Sequence, residues 1–245
     1  MQENSNIRVF ENKESMSEFS FKAWAELSRE SVQEKGIFTV ALSGGKTPMG
    51  FYQRLSAGRE ELPWDGTHIF QADERFVPLD HADNNYRMIK ETLLDPVGLN
   101  TENAHPVPVM AETVKEAADE YQKHIEEFFT SSEIAEPVFD LIMLGIGDDG
   151  HTASLFPGEP TLSGTDRLII PVEDVVTGHA RISMTLRVIN SAKNIIFLVS
   201  GKKKAHIVRE ILVDPEFVLP AAQVLPEKGN LFFFIDREAA EYLPL

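Results

Sequence analysis

Apolar, β-branched runs alternate with helical patterns along the chain, and this alternation constrains the fold more than any other feature of the sequence. The runs lie at residues 37–43, 67–73, 139–145, 167–172, 181–186, 194–200 and 231–236, and each is typical of a short buried strand. Helical patterns span residues 15–35, 47–57, 84–94, 112–130 and 202–212. This order predicts a parallel, three-layer α/β sheet. No repeat or long linker interrupts it, so we expect one domain over residues 1–245.

Charge and composition exclude several classes of function. The net charge of −16 disfavours non-specific binding to nucleic acid or to an anionic membrane surface. The absence of cysteine excludes disulfides, thiolate catalysis and cysteine-based zinc sites. No apolar run approaches the roughly 18 residues that span a bilayer, and the first residues are too polar for a signal peptide. We therefore expect a cytoplasmic protein without a membrane or nucleic-acid partner.

Four polar clusters follow predicted strands, at residues 43–48, 73–87, 145–158 and 200–204. In an open α/β sheet, ligands bind at the carboxyl ends of the strands, so these clusters are expected to converge on one site. An anionic small substrate is compatible with the negative net charge. A single Lys or Arg about 4 Å from a phosphate contributes on the order of 4 kcal/mol before desolvation.

The first two clusters contain glycines and cations. "SGGKTP" (residues 43–48) is expected to open a helix, with Thr47 as the N-cap and Pro48 at the first helical position. Its glycines fit either a simple tight turn or an anion cradle at a helix N-terminus. The Walker A and GxGxxG patterns do not match, so nucleotide binding is not indicated. In the second cluster, Asp73, Glu74 and Arg75 form either a solvated edge or a site where the guanidinium binds phosphate or carboxylate.

The third cluster, "GIGDDGHTASLFPG" (residues 145–158), places His151 two residues after Asp149. We expect His151 at the N-terminus of a helix beginning near "TASLF". That position lowers the proton affinity of an imidazole, whereas the neighbouring carboxylate raises it. The balance suits a general base. No metal is predicted, because the sequence has no HExxH motif and no histidines paired at ligand spacing.

The fourth cluster, "GKKKAHIV" (residues 201–208), runs from a strand end into a helix. Three consecutive lysines are normally solvent-exposed. Arg181 is different, because it lies just inside a predicted strand, where a buried charge needs a partner.

Taken together, "SGGKTP", "DERFVP" with "NNYRM", "FDLIMLGIGDDGHTASLFPG", "RISMTLRVINSAKNIIFLVSGKKKA" and "LPAAQVLP" resemble the 6-phosphogluconolactonase family, in family order and over residues 40–240. The resemblance implies a modified Rossmann-like αβα fold of the sugar-phosphate isomerase/deaminase type with a mostly parallel sheet. It also implies hydrolysis of 6-phospho-D-glucono-1,5-lactone, a carboxylic ester hydrolase reaction of the oxidative pentose phosphate pathway. No cofactor is implied. The expected partner is the phosphorylated sugar lactone, and the expected state is a monomer or a small homo-oligomer.

The resemblance also assigns residues. Its catalytic histidine falls on His151 and the preceding aspartate on Asp149. Substrate-binding positions fall on Ser43, Gly44, Gly45, Lys46, Thr47, Asp73, Arg75, Asn85, Arg181 and Lys204. This chain departs from the family pattern at Lys46 and Asn84, where serine is frequent, and at His179–Ala180, where the family often has two prolines.

Two alternative functions are weighed against the lactonase. Glucosamine-6-phosphate deaminases share the fold, but they carry an acidic residue five positions after the histidine, where this chain has Phe156. An apolar ring cannot transfer a proton. The other alternative is a non-catalytic sugar-phosphate sensor, which usually carries an appended DNA-binding module; the sequence has no basic helix-turn-helix segment.

Overall fold

The computed structural model describes residues 5–132, 137–158, 165–173, 178–213 and 218–244. The strands are β1 (Ser5–Phe10), β2 (Phe38–Leu42), β3 (Thr67–Gln71), β4 (Asp73–Arg75), β5 (Ala104–His105), β6 (Leu141–Leu144), β7 (Ile169–Val172), β8 (Arg181–Met184), β9 (Asn194–Val199) and β10 (Asn230–Asp236). The α-helices are α1 (Lys13–Lys35), α2 (Lys46–Ala57), α3 (Asn85–Ile89), α4 (Asp95–Val97), α5 (Val114–Ser131), α6 (Leu186–Ser191) and α7 (Ala205–Leu212). A π-helical turn, Lys90–Leu94, joins α3 to α4. Short 3-10 turns cover Arg59–Glu61, Trp64–Gly66, Thr101–Asn103, Lys202–Lys204 and Pro220–Gln223.

Seven strands form one parallel sheet in the order β1-β10-β9-β6-β2-β3-β5. Its central strands are buried on both faces, and their sequences are therefore continuous apolar runs. Alternate side chains enter two separate hydrophobic clusters: Val40 and Leu42 of β2 point to one face, and Ala41 points to the other.

Helices cover both faces of this sheet. Trp24 of α1 and Phe51 of α2 belong to the cluster on one face, whereas Tyr121 of α5 and Ile207 of α7 belong to the cluster on the other. The predicted three-layer αβα fold with a mostly parallel sheet is therefore confirmed.

Two of the predicted strands lie outside the parallel sheet. β7 and β8, from the runs at 167–172 and 181–186, pair antiparallel with each other, and β8 also pairs antiparallel with β4 in a second sheet of order β4-β8-β7. The chain passes from β3 to β4 through Ala72, whose N–H donates to Leu42 and whose carbonyl accepts from Met184. Ala72 therefore lies at the junction of the two sheets.

Local sequence signals explain several boundaries. The side chain of Asn12 accepts a hydrogen bond from the Ser15 N–H and the Ser15 hydroxyl accepts one from the Asn12 N–H, forming a capping box at the start of α1. Gly36 ends this helix in the left-handed region, with φ of +81°. Within the described residues, every helix is too short or too polar to cross a lipid bilayer.

Candidate functional site

The polar clusters converge on one cavity of about 710 Å³ at the carboxyl edge of the parallel sheet. This volume is in the range of sites for small molecules. All twelve residues singled out from the sequence line it: Ser43, Gly44, Gly45, Lys46, Thr47, Asp73, Arg75, Asn85, Asp149, His151, Arg181 and Lys204. The antiparallel sheet forms one wall, through β4 and β8.

His151 and Asp149 form a close pair in the loop after β6. The imidazole Nδ1 lies 2.6 Å from Asp149 Oδ1, and the same oxygen accepts the backbone N–H of His151 at 3.1 Å. A carboxylate at this distance assigns the imidazole proton to Nδ1 and leaves Nε2 as the unprotonated nitrogen. The pair therefore has the orientation of a general base held by a third group.

The ionisation of Asp149 supports this arrangement. Burial on its own would raise the pKa of this carboxyl, but hydrogen bonds from His151 and the charge of a protonated imidazole outweigh it. The pKa of Asp149 therefore lies below its usual value. The carboxylate stays charged near neutral pH and can stabilise an imidazolium that forms at His151.

Backbone geometry fixes this loop. A Cβ at Gly147 would lie 2.1 Å from His151 Nδ1 and 2.6 Å from Asp149 Oδ1, so only glycine fits beneath the pair. The Gly147 N–H also donates to the His151 carbonyl at 2.8 Å. The expected helix after His151 is wrong: Thr152 and Leu155 instead form an isolated antiparallel bridge. The imidazole is therefore oriented by a carboxylate in a tight loop, and a helix dipole does not act on it.

The turn between β2 and α2 also differs in detail from the prediction. α2 begins at Lys46, Gly45 is its N-cap, and no side chain caps it. The assignments of Thr47 as the N-cap and of Pro48 as the first helical residue are therefore wrong. The Thr47 hydroxyl instead lies 3.0 Å from the Ser200 hydroxyl. The first turn of a helix leaves backbone N–H groups without intrahelical partners, and this turn lines the cavity, which favours an anion there.

Two further contacts shape this turn. A Cβ at Gly44 would lie 1.8 Å from the side-chain oxygen of Asn85, so the glycine permits the close approach of α3. The Tyr52 hydroxyl donates to the Ser43 carbonyl at 2.7 Å. Ser43 Oγ is buried at the cavity and has no hydrogen-bond partner among the described residues. A buried hydroxyl of this kind is available to a ligand.

Arg75 and Arg181 face each other across the antiparallel sheet. They are register partners on β4 and β8, and both line the cavity. Like charges directly opposite each other on a sheet repel, and an anion close to both is attracted by each of them. Arg75 Nη1 donates to the Asp83 carbonyl at 2.7 Å, but Arg75 Nε is buried without a partner in the described part of the chain. The pair therefore has the character of an anion site.

Arg181 has the partner that a buried charge requires, as predicted. Its side chain is 6% exposed, Nη1 donates to Ser154 Oγ at 3.4 Å, and the guanidinium lies 5.3 Å from the Phe156 ring centroid. Ser154 Oγ in turn donates to Asp73 Oδ2 at 2.7 Å. This bridging serine was missed in the sequence, because a serine in an otherwise ordinary loop gives no pattern to detect.

The Glu74 carboxylate lies outside the cavity and hydrogen-bonds to residues that line it. Its carboxylate accepts the backbone N–H groups of Arg75, Asn85 and Tyr86 at 2.7–2.8 Å and the Gln71 amide at 2.7 Å. Burial raises the pKa of Glu74, and these donors act in the opposite direction. The side chain is fully buried and does not line the cavity, so it positions Arg75 and Asn85 instead of contacting a ligand.

The three consecutive lysines differ in their exposure to solvent. Lys202 and Lys203 are exposed, as expected, whereas Lys204 is partly buried at the cavity. Lys204 Nζ forms an ion pair with Asp148 Oδ1. The two adjacent aspartates of the loop thus contact different groups: Asp148 contacts an ammonium, and Asp149 contacts the imidazole.

Comparison with known proteins agrees with this architecture. Residues 11–233 match the family described as glucosamine-6-phosphate isomerases/6-phosphogluconolactonase. A 6-phosphogluconolactonase from Synechocystis sp. is 39% identical over 97% of this chain and 98% of its own length.

Solved structures match as well. A 6-phosphogluconolactonase from Trypanosoma cruzi superposes with a TM-score of 0.86 at 28% identity, covering 100% of this chain and 99% of the other. One from Thermotoga maritima gives 0.82 at 29% identity, over 95% and 100%. On the family match and the similarity to the Synechocystis protein, this chain belongs to the glucosamine-6-phosphate isomerase/6-phosphogluconolactonase family.

Proposed function

We propose that this protein hydrolyses 6-phospho-D-glucono-1,5-lactone to 6-phosphogluconate, with His151 as the general base. One observation carries the proposal: the Arg75–Arg181 anion site and the His151–Asp149 pair line the same cavity. A phosphorylated ring needs the first group for anchoring and the second for chemistry. The names of the relatives support the same reaction, which belongs to the oxidative pentose phosphate pathway.

In the proposed binding mode, the phosphate lies near Arg75 and the N-terminal turn of α2, with Lys204 close by. Lys204 is shared with Asp148, so the phosphate competes with this carboxylate for the ammonium. Fixing the phosphate orients the lactone carbonyl toward His151. Orientation of this kind supplies a large part of the barrier reduction, because small misplacements of reacting atoms are costly.

In the proposed reaction, Nε2 of His151 removes a proton from water as the water oxygen attacks C1 of the lactone. The tetrahedral intermediate then collapses, and the bond from C1 to the ring oxygen breaks. His151 returns its proton to that ring oxygen, which becomes a hydroxyl group. Asp149 stabilises the transient imidazolium. A positioned general base contributes typically about 10²–10⁴-fold in rate, which suits a lactone that also hydrolyses spontaneously.

Phe156 favours the lactonase over a deaminase. Its ring centroid lies 4.7 Å from that of His151, at the cavity wall. The residue occupies the position from which the related deaminases present an acidic side chain, and a phenyl ring neither donates nor accepts a proton there. Binding without turnover, as in a sensor, is the third outcome that an assay distinguishes.

A coupled assay tests the proposal. Lactone is generated by glucose-6-phosphate dehydrogenase, and its decay is compared with the spontaneous rate. The wild-type protein should accelerate hydrolysis, and His151→Ala should lower kcat about 10²–10⁴-fold while the protein stays folded. Unchanged turnover in this variant would remove His151 from the mechanism. Release of ammonia from glucosamine 6-phosphate would support the deaminase instead.

The adjacent aspartates provide a matched pair of variants. Asp149→Asn removes the charge that orients and stabilises His151, so kcat should fall at least about tenfold with little change in KM. Asp148→Asn makes the same change in the same loop but does not touch the imidazole, so kcat should stay within about twofold of the wild type, and any effect should fall on KM through Lys204. Equal losses in the two variants would show that general loop charge matters, and would contradict the specific role of Asp149.

A further inference from the structure

A second group of polar side chains lies next to Arg75, outside the residues that line the cavity. His81 and Asp83 come from the segment after β4, and His179 comes from the residues just before β8. His179 Nε2 lies 3.3 Å from Asp83 Oδ2, and His81 Nδ1 lies 3.8 Å from the same oxygen. The three donor atoms all lie within 4.8 Å of one another.

We infer that this rim triad, His81, Asp83 and His179, binds a divalent transition-metal ion of the zinc class. Two imidazole nitrogens and one carboxylate oxygen are a donor set that suits Zn²⁺. In a tetrahedral zinc site with bonds of about 2.0 Å, neighbouring donors lie about 3.3 Å apart. The two distances from Asp83 Oδ2 are close to this value, and the two imidazole nitrogens lie within 4.8 Å of each other. Side-chain rotation that brings the three donors together completes the site, with water in the fourth position.

The state of the imidazoles is compatible with a metal. His81 Nδ1 accepts the backbone N–H of Asp83 at 3.1 Å, so this nitrogen carries the free electron pair that a metal needs. A bound ion replaces that hydrogen bond. The two rings lie 5.5 Å apart at 75°, so they do not stack and both edges reach the shared carboxylate.

The rim triad joins two segments that already contact the substrate cavity. The Phe76 N–H donates to the Ala180 carbonyl at 2.8 Å, and the Asp83 carbonyl accepts from Arg75. An ion at the triad therefore cross-links the segment that follows Arg75 to the segment that precedes Arg181. The three side chains are 33–56% exposed, so an ion enters without opening the fold.

Exposure and a neighbouring guanidinium limit the affinity. Three partly solvated ligands are less preorganised than a closed four-ligand structural site, and Arg75 places a positive charge on the same segment. We therefore expect a reversible site that Zn²⁺ occupies more strongly than Mg²⁺ or Ca²⁺, since the harder ions prefer oxygen ligands.

Calorimetric titration of the tag-free, full-length protein with ZnCl₂ tests the inference, with Co²⁺ absorption spectra as a second readout. We expect one ion per chain in the wild type. His179→Ala and Asp83→Asn should each weaken binding at least about tenfold, because each removes one of three ligands. His206→Ala is the matched control. It removes an exposed histidine of α7 that packs on Tyr242, and binding should not change.

His151→Ala separates this site from the catalytic loop, where a histidine and an aspartate also lie together. Metal binding that survives His151→Ala but is lost in His179→Ala supports the rim triad. The opposite pattern, or no Zn²⁺ binding by the wild-type protein up to millimolar concentration, overturns it. Thermal unfolding of the metal-free variants checks that each one is folded. Since no substrate is present, the result is independent of whether the protein is a lactonase.

Discussion

Three imidazoles in a row should make the stability of this protein sensitive to acid. His105 lies between His68 and His124, with ring nitrogens 3.1 and 2.8 Å apart, and it stacks on Phe70 at 4.1 Å. Burial, reinforced by the charges that His124 and His68 carry when protonated, lowers the pKa of His105 to about 3. Burial also lowers the pKa values of His68 and His124.

The sign and size of the effect follow from linkage. In the unfolded chain a histidine has a pKa of about 6.5, so the unfolded state binds a proton that folded His105 rejects. The stabilising contribution of neutral His105 is complete above pH 6.5 and is lost as the pH falls toward 3. Between pH 7 and pH 4 the loss is about 3 kcal/mol. This is a large fraction of the 5–15 kcal/mol that is typical of a folded domain.

Urea unfolding at pH 7, 6, 5 and 4 measures this contribution in the wild type and in His105→Phe. Phenylalanine keeps the stack on Phe70 but does not titrate, and His124 is only partly buried, so it can bond to water instead. The free energy of unfolding should therefore fall about 3 kcal/mol less in the variant than in the wild type over this range. His206→Phe, an exposed histidine, is the control and should follow the wild type. Parallel curves for the wild type and His105→Phe would refute the reasoning.

Two predictions concern the candidate active site. Arg75→Lys keeps the charge but loses the planar fork, so KM for the phosphorylated lactone should rise about tenfold with a smaller effect on kcat; Arg87→Lys, at an exposed ion pair with Glu91, is the control, and an unchanged KM in Arg75→Lys would contradict the anchoring role. Gly147→Ala places a Cβ against the His151 imidazole and should lower kcat at least about tenfold. Gly50→Ala, in α2 and outside the cavity lining, makes an ordinary 3.6 Å contact with Ser17 Oγ and should be tolerated, so similar kinetics for the two alanine variants would contradict the steric argument.

The central strands could be predicted because parallel strands buried on both faces leave an uninterrupted apolar signal. β2 is buried at all five positions, and the run at 37–43 matches it within one residue at each end. β1 gives no such signal. It lies at the edge of the sheet and, among the described strands, pairs with β10 alone. Several of its side chains are exposed, so its sequence is polar. Strands that are completely buried could therefore be predicted from the sequence, and the strand at the edge of the sheet could not.

The pairing of strands and the conformation of loops could not be predicted from the sequence in the same way. Nothing in the runs at 167–172 and 181–186 distinguishes an antiparallel pair from two members of the parallel sheet, because pairing depends on contacts far away in the sequence. The conformation of the loop after β6 could likewise not be predicted from the sequence. "TASLF" is compatible with a helix, and the turn that forms instead depends on Gly147 and on the contact between His151 and Asp149.

The candidate site residues were easier to identify than their interactions, and the junction of the two sheets explains why. The carboxyl-end rule places chemistry after each parallel strand, so it located the clusters without any knowledge of the second sheet. The pairing of Arg75 with Arg181 exists only because the chain leaves the parallel sheet at Ala72 and forms β4 against β8. Both guanidinium groups also have protein partners, since Arg75 donates to the Asp83 carbonyl and Arg181 donates to Ser154 Oγ. In the proposed mechanism, the second sheet therefore supplies two guanidinium groups that the protein has already oriented when the phosphorylated substrate enters the cavity.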